Sequence, residues 1–412
     1  MNRSHEPSIR RARNRRSRGF ARRAADLHGA PQAGVRRPAD GHRRRTPSPY
    51  DRPPLSKEFL AGRADGADLS LPGAGLGITW QLGRRATGLD LTARTVEIDD
   101  GALFPFGGLV IATGSAARPW PAPAPPAGVH TLRGLDDARS LRAALRRDGR
   151  LLVIGAGFIG SEVTATARGA GVEVTLVEPE PQPLRRAVGA AAGEFLAALH
   201  RRAGVDLRTS TKVLSLDRVR EHTGARLSDG TDVTATAAVV ALGSAPSTDW
   251  LTGSGLDTTE GVLCDRHARA LLRDGTPATD VVAAGDVARW PHPWADTPGI
   301  TLGHWSHATE QAEIAARSLL FPETPADYRP VPSFWSDQYD VKLRSVGFPA
   351  LADSVDVREN DPDTRRLDVA YYRHGRLIGA LTGNRVARIA AYRSRLATDL
   401  EGEAGATAAA GR

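Results

Sequence analysis

The chain has one cysteine, Cys264, one methionine and only 5% aromatic residues in a length of 412. A lone thiol excludes an intrachain disulfide framework, a C-x-x-C redox pair and any metal site built from several cysteines. It points to a reducing compartment, the cytoplasm. No stretch approaches the ~18 apolar residues of a membrane-spanning helix, and no short repeat of fixed period is present. Lysine is absent from residues 1–50, which hold 14 Arg against Glu6, Asp26 and Asp40, a net +11 that leaves −3 for the rest of a chain whose total is +8. The basicity therefore belongs to the N-terminal segment. Met1–Pro49 has no sustained helical or strand period and is expected to be disordered. Its Arg-rich, acid-poor composition leaves a transit peptide open, whereas a twin-arginine export signal is not expected, because no apolar h-region follows. A basic tail of this kind can bind nucleic acid through Met1–Arg45, which deletion of the segment and salt-sensitive retention on DNA would reveal. The rest of the sequence points elsewhere, and neither a nucleic-acid nor a membrane partner is expected.

What is present begins with Leu151–Glu178, LLVIGAGFIGSEVTATARGAGVEVTLVE. Leu151–Ile154 reads as a buried parallel strand. Gly155, Gly157 and Gly160 follow in G-x-G-x-x-G spacing, with Phe158 and Ile159 between the last two. A helix over Ser161–Arg168 and a second strand over Val172–Val177 lead to the acid Glu178. This is a complete opening βαβ unit for dinucleotide binding. Gly155 allows the tight turn, Gly157 lets a pyrophosphate approach the backbone, and Gly160 lets helix and strand pack closely. The helix N-terminus offers unpaired N–H groups and partial positive charge to phosphates. Glu178 can accept hydrogen bonds from both adenosine ribose hydroxyls and would repel a 2′-phosphate, so NAD is expected over NADP. Arg185 and Arg186 lie near enough in sequence to meet such a phosphate and count against that preference.

Elsewhere, PYDRPPLSKEFLAG (Pro49–Gly62) reads as a Pro-rich turn entering a helix, with Ser56 as N-cap for Lys57–Leu60. Leu89–Ile98 and Ala102–Phe106 read as strands about the turn Asp99-Asp100-Gly101. Leu109–Ala112 is an apolar strand ending in Thr113-Gly114. Pro119–Pro126 is a connector. Helices are expected over Leu135–Arg147, Ala187–Ala203, Ser306–Leu320 and Val386–Leu396. Strands are expected over Val205–Leu207, Lys212–Asp217, Ala225–Leu227, Ala237–Leu242 and Val281–Ala284. Leu367, Val369 and Tyr371 share one face of a strand that a His374-Gly375 turn joins to Leu377–Leu381. Glu401–Arg412 is expected to fray.

From Pro49 to about Leu396 the sequence resembles the FAD-dependent NADH:ferredoxin reductases of the putidaredoxin- and rubredoxin-reductase type, within the pyridine nucleotide-disulfide oxidoreductase superfamily. The matching stretches are PYDRPPLSKEFLAG, LVIATGSAARP, HTLRGLDDA, VIGAGFIGSEV, VVALGSAP, VVAAGDVARW, HWSHATEQ and PSFWSDQYDVKLRSVG. The resemblance implies an α/β fold with two Rossmann-like dinucleotide-binding domains, for FAD and NAD, and a C-terminal α+β domain. Residues 49–118 with 243–322 would form the FAD domain, 119–242 the NAD domain and 323–400 the C-terminal domain, with a tail at 401–412. It implies that Arg52 and Lys57 contact FAD, Lys57 near the flavin ring, and that Thr113 and Gly114 line the phosphate side. Arg133 belongs to the flavin site. Asp286 hydrogen-bonds the ribityl chain, Trp305 lies at the pyrimidine end, and the helix starting near Ser306 aims its positive end at the flavin N1 edge. Glu162 meets the nicotinamide carboxamide, Gly243 lets the nicotinamide lie flat, and Trp335 covers the flavin edge. Lys57, Glu162 and Trp335 are the implied catalytic residues; no metal is implied. Because Cys264 reads as a core thiol, electrons are expected to leave the flavin one at a time for a ferredoxin or rubredoxin that feeds an oxygenase.

The sequence departs from the family in residues 1–48, an Arg-rich segment with no G-x-G-x-x-G, no apolar strand and no terminal acid for the ADP half of FAD. A reading-frame error upstream of Pro49 is one explanation, which resequencing of the gene's 5′ end tests. Sub-stoichiometric FAD is expected for the chain as written. The alternative function is a flavin-free NAD-binding remnant, which a visible absorption spectrum distinguishes.

Overall fold

The computed structural model describes residues 48–72, 76–121, 123–145 and 147–410. The expectations for the Arg-rich segment fall on residues 1–47, outside the described residues. Leu151, Leu152, Val153 and Ile154 are buried because helices and sheet cover both faces of their strand, β7 (Arg150–Ile154). That strand is the centre of a five-stranded parallel sheet in the order β6 (Val129–His130), β13 (Ala237–Val240), β7, β8 (Glu173–Val177) and β9 (Asp206–Arg208). Helices α1 (Leu135–Ala144), α2 (Phe158–Gly169) and α3 (Arg185–Arg202) make the connections. Helix α2 starts three residues ahead of the expected Ser161, and α1 stops short of Arg147. Strands β10 (Val213–Val219), β11 (His222–Leu227) and β12 (Asp232–Ala235) form an antiparallel sheet between β9 and β13 in the chain.

A second sheet pairs β4 (Leu109–Ile111) in parallel with β17 (Pro277–Ala283), which β16 (Arg269–Leu271) flanks. Helix α4 (Trp305–Leu320) packs beside β17. Small two-stranded sheets join β5 (Ser115–Ala117) to β14 (Ser244–Pro246), and β15 (Val262–Leu263) to β18 (Ala288–Arg289). Strands β4 and β13 both run into a glycine-containing turn, ATGS and ALGS. Yet β13 has a neighbour on each side, whereas β4 has one, among the described residues. Cys264 is buried after β15, its Sγ 3.4 Å from the Val262 carbonyl, and burial pushes its thiol pKa far up. It is the core thiol expected.

The expected strand Leu89–Ile98 is two strands, β1 (Ala86–Asp90) and β2 (Thr95–Ile98), which with β3 (Leu103–Pro105) form a meander. The break is made by Asp90, whose Oδ1 accepts the Thr92 and Ala93 amides, both at 2.8 Å, and by Arg94 at φ 54°. Such a side-chain turn competes with the strand ladder. Ser56 is not an N-cap. It ends a 3₁₀ turn, Pro53–Ser56, because Pro53 and Pro54 favour the start of a helical turn four residues early.

The C-terminal sheet is antiparallel, in the order β19 (Ser333–Gln338), β20 (Val341–Gly347), β23 (Arg376–Gly383), β22 (Arg366–Arg373), β21 (Ser354–Asp361). Leu367, Val369 and Tyr371 share a face as expected and pack on Phe195, Leu196 and Leu199 of α3. The opposite face, with Ala370 and Ala380, meets Tyr392, Leu396 and Leu400 of α5 (Val386–Ala410). Helix α5 continues well past Leu396, through residues expected to fray, because Leu400 still has a buried place on the sheet.

Candidate active site

The dinucleotide loop follows β7. Gly155 takes φ 98°, the conformation that the turn requires and that other residues rarely adopt. A Cβ on Gly160 would lie 1.9 Å from the Gly155 carbonyl oxygen, while one on Gly157 would meet nothing within 4 Å. The loop is therefore closed on its packing side and open where a pyrophosphate would rest, with α2 beginning at Phe158. These residues fit a dinucleotide. Glu178, at the end of β8, is buried, and its carboxylate holds the loop: Oε2 accepts the Ala156 amide at 2.6 Å and Oε1 the Glu180 amide at 2.9 Å. Each oxygen keeps one acceptor position for a ribose hydroxyl. Gly160→Ala is expected to destabilise the fold by more than about 3 kcal/mol through forced backbone movement, with NAD binding lost; denaturant unfolding and titration calorimetry check this.

A few residues into α2, Glu162 lies buried among groups from two other parts of the chain. Its Oε2 accepts Lys57 Nζ at 2.6 Å and Ser56 Oγ at 2.5 Å, and its Oε1 accepts Ser336 Oγ at 2.7 Å. Lys57 Nζ is also 3.2 Å from the Pro53 carbonyl. Lys57 and Glu162, expected at the flavin ring and at the nicotinamide respectively, thus form one ion pair. Ser56 and Ser336 escaped sequence reading, since nothing local marks a serine whose partner is more than a hundred residues away.

Strand alternation puts Ser336 and Trp335 on opposite faces of β19. On the Ser336 side, Phe334 packs edge-on to Phe158, ring centroids 4.8 Å apart. On the other, Trp335 meets Trp305 edge-on at 5.8 Å. Trp305 opens α4, is 46% exposed, and donates its indole N–H to Asp51 Oδ1 at 2.8 Å. His304, the residue before α4, contributes no side-chain cap, so the first-turn amides keep their charge for a ligand. His304 also packs against Phe158 and Phe334, and burial lowers its pKa to about 4, against the opposing pull of Asp286.

Asp286 follows the Gly285 turn after β17. Its Oδ2 accepts Ser115 Oγ at 3.1 Å and forms an ion pair with Arg133; Arg133 Nε reaches the Ser115 carbonyl at 2.8 Å. Burial pushes the Asp286 pKa up, but Arg133, the Ser115 hydroxyl and the charge of Arg52 outweigh it and hold the carboxyl below its usual range. A cavity of about 560 Å³ opens here, lined by Ser115, Arg118, Ser244, Asp286, Thr301 and Gly303 among others. A carboxylate with one oxygen not bonded to the described residues, two arginines and an open helix end fit the polyol and ring of a flavin nucleotide. Thr113 spends its hydroxyl on the Ser247 carbonyl at 2.7 Å, tying the two chain crossings together, and Gly114 and Gly243 have open space where a Cβ would be. Ile159 is exposed on the first turn of α2. Of the residues expected from sequence, the structure unites Lys57 with Glu162, Arg52 and Arg133 with Asp286, and Trp305 with Trp335. Glu178 serves the separate dinucleotide loop.

A dinucleotide-binding βαβ unit, a second sheet whose strand β4 ends in a glycine turn, and a C-terminal sheet that reaches the buried Lys–Glu pair define a nucleotide-binding α/β protein of several domains. A sequence profile of the family described as pyridine nucleotide-disulphide oxidoreductase matches residues 19–312, and one described as reductase C-terminal matches residues 333–410. The first match starts inside the Arg-rich segment. Rhodocoxin reductase of Rhodococcus erythropolis is 34% identical over 358 residues, 85% of this chain and 82% of its own. The anthranilate 1,2-dioxygenase system ferredoxin–NAD(+) reductase component of Burkholderia cepacia is 35% identical over 322 residues, 76% of each chain. The putidaredoxin reductase–putidaredoxin covalent complex superposes with a TM-score of 0.82 at 29% identity, covering 92% of this chain and 90% of the solved one. The chain belongs to the pyridine nucleotide-disulphide oxidoreductase family, in its ferredoxin reductase branch, and is an oxidoreductase enzyme. Among the described residues, no helix is long and apolar enough to cross a membrane.

Proposed function

We propose that this enzyme takes electrons from NADH through FAD to a ferredoxin or rubredoxin that feeds an oxygenase, in the cytoplasm. The observation that carries the reading is the buried Lys57–Glu162 pair, bonded by Ser336 of the strand that also bears Trp335, on a helix that opens at a dinucleotide loop of open geometry. Two relatives, a rhodocoxin reductase and a dioxygenase-system ferredoxin reductase, support the acceptor class. The sole thiol is locked in the core, so no cysteine pair is available to relay electrons. We read residues 49–118 with 243–322 as the FAD domain, 119–242 as the NAD domain and 323–400 as the C-terminal domain.

Bound FAD would supply hydride acceptance and one-electron release. The protein's own residues would do the rest. Arg52, Arg133 and Asp286 would hold the flavin nucleotide, the first turn of α4 would favour negative charge at its ring edge, Glu162 would orient the nicotinamide carboxamide, and Trp305 and Trp335 would exclude water from the ring. The test is NADH-driven cytochrome c reduction by the FAD-loaded protein. Activity that depends on an added [2Fe–2S] ferredoxin or rubredoxin is expected; activity indifferent to every such carrier would overturn the acceptor assignment.

Nucleotide preference follows from the acids after β8. Glu178 opposes a 2′-phosphate. Arg186, which could attract one, is held by Glu180 through Nε at 2.8 Å and Nη2 at 2.6 Å, and Arg185 hydrogen-bonds Gln182 at 2.5 Å. NADH is therefore expected to be strongly preferred. An exposed pair of this kind holds by about 0.2–1 kcal/mol, so Glu180→Ala should raise kcat/KM for NADPH up to about fivefold. Glu178→Ala with an added arginine should relax the preference further. Equal kcat/KM for the two nucleotides in the unmutated enzyme would defeat the argument.

A further inference from the structure

The Glu162 carboxylate can accept about four hydrogen bonds, two on each oxygen. Lys57 and Ser56 fill Oε2, and Ser336 takes one position on Oε1. One acceptor position is left, and it is on the oxygen that Ser336 holds. Ser336 is itself held: Gln338 Nε2 donates to its Oγ at 3.2 Å, which commits the serine proton to Glu162. All three side chains are buried. A carboxylate in such a place keeps one rotamer only while each donor stays aimed.

We propose that Ser336, backed by Gln338, is a positioning residue for nicotinamide. It aims the last free lone pair of Glu162 at the carboxamide N–H of the cofactor, so that the C-terminal domain completes the nicotinamide subsite of the NAD domain. This rests on the reading of Glu162 given above. The strand geometry supports it, because the alternation that sends Trp335 to Trp305 sends Phe334 to Phe158 and Ser336 to Glu162. One strand thus reaches both the ring site and the carboxylate, and a shift of β19 would move both together.

The experiment is titration of the purified protein with NAD+ and, separately, with ADP-ribose, which lacks the nicotinamide. Three variants are compared: Ser336→Ala, Ser336→Thr and Glu162→Gln. Ser336→Ala is expected to raise the Kd for NAD+ about tenfold, ~1.4 kcal/mol, the low end for one hydrogen bond to a charged group, and to leave ADP-ribose within about twofold. Ser336→Thr keeps the hydroxyl and should keep both affinities. A purely structural role would change both ligands equally or neither, and would overturn the proposal. If Ser336→Ala does not fold, Ser336→Cys, close in size and a weak donor, gives the same comparison. Glu162→Gln separates the two levels: if it too fails to distinguish NAD+ from ADP-ribose, the placement of Glu162 at the nicotinamide is wrong; if it does distinguish them and Ser336→Ala does not, only the role of Ser336 fails.

Discussion

Lys57→Met is expected to destabilise the protein by about 3–5 kcal/mol and to slow flavin reduction by NADH by about two orders of magnitude. The first figure follows from what the substitution leaves behind. The Lys57 and Glu162 side chains are 13% and 5% exposed and 2.6 Å apart. Removing one partner of a buried pair strands the other charge out of water, and that costs about 3–5 kcal/mol. The two serine hydroxyls on Glu162 soften the loss without replacing a full charge. The second figure reflects a carboxylate free to turn away from the carboxamide, since small misplacements of a positioning group cost about 10²-fold. Denaturant unfolding and anaerobic stopped-flow reduction measure the two effects. The double variant Lys57→Met/Glu162→Gln, which removes both charges, should regain most of the stability but not the rate. Unchanged unfolding in Lys57→Met would show that the pair is not buried in solution.

Acid is expected to weaken the fold steeply between pH 7 and pH 5, well before carboxylates protonate. Burial lowers His200, His292 and His304 to about 4 and His307 to about 3. Each ring is neutral in the fold, whereas an unfolded histidine titrates near about 6.5. Their contribution is complete above pH 6.5 and is lost as pH falls from there toward the folded values, because the unfolded chain gains protons first. At pH 5 each histidine forfeits about 1–2 kcal/mol, several kcal/mol together. His200 joins α3 to the C-terminal hairpin through Tyr339, Nδ1 to hydroxyl 2.7 Å. His307 is stacked on Trp290 and bonded to the Tyr328 hydroxyl. Thermal melts from pH 8 to pH 5 should show the decline, and His200→Gln should flatten it by one histidine's share. A Tm independent of pH over that range would contradict the burial of these rings.

The elements that position the site were legible where a local pattern carried the information. The apolar run of β7, the spacing of Gly155, Gly157 and Gly160, and the acid at the end of β8 define a βαβ unit by themselves, and the structure builds one. The family resemblance named Lys57 and Glu162 separately, one at the flavin ring and one at the nicotinamide, and their pairing was not legible, since no period or spacing connects residues 105 apart. Ser56 shows why the rest was hidden. A serine ahead of Lys57–Leu60 satisfies the local rule for an N-cap, but two prolines had already started the turn and the hydroxyl found a buried carboxylate in another part of the chain. Ser336 and Gln338 were quoted within a motif without a role, because only register shows which face of β19 reaches α2. The break in Leu89–Ile98 was readable in Asp90, whose side chain can close a turn on its own backbone. The length of α5 was not, because its continuation past Leu396 rests on the buried place that the sheet gives Leu400.

The most direct measurement is an anaerobic titration of the FAD-reconstituted protein with NADH, followed by visible absorption. Flavin bands that bleach at about one NADH per flavin, with NADPH far less effective, are expected from the site formed by Arg52, Lys57, Arg133, Glu162, Glu178 and Asp286. Flavin bands that stay unchanged on NADH addition, or that NADPH bleaches equally well, would contradict it.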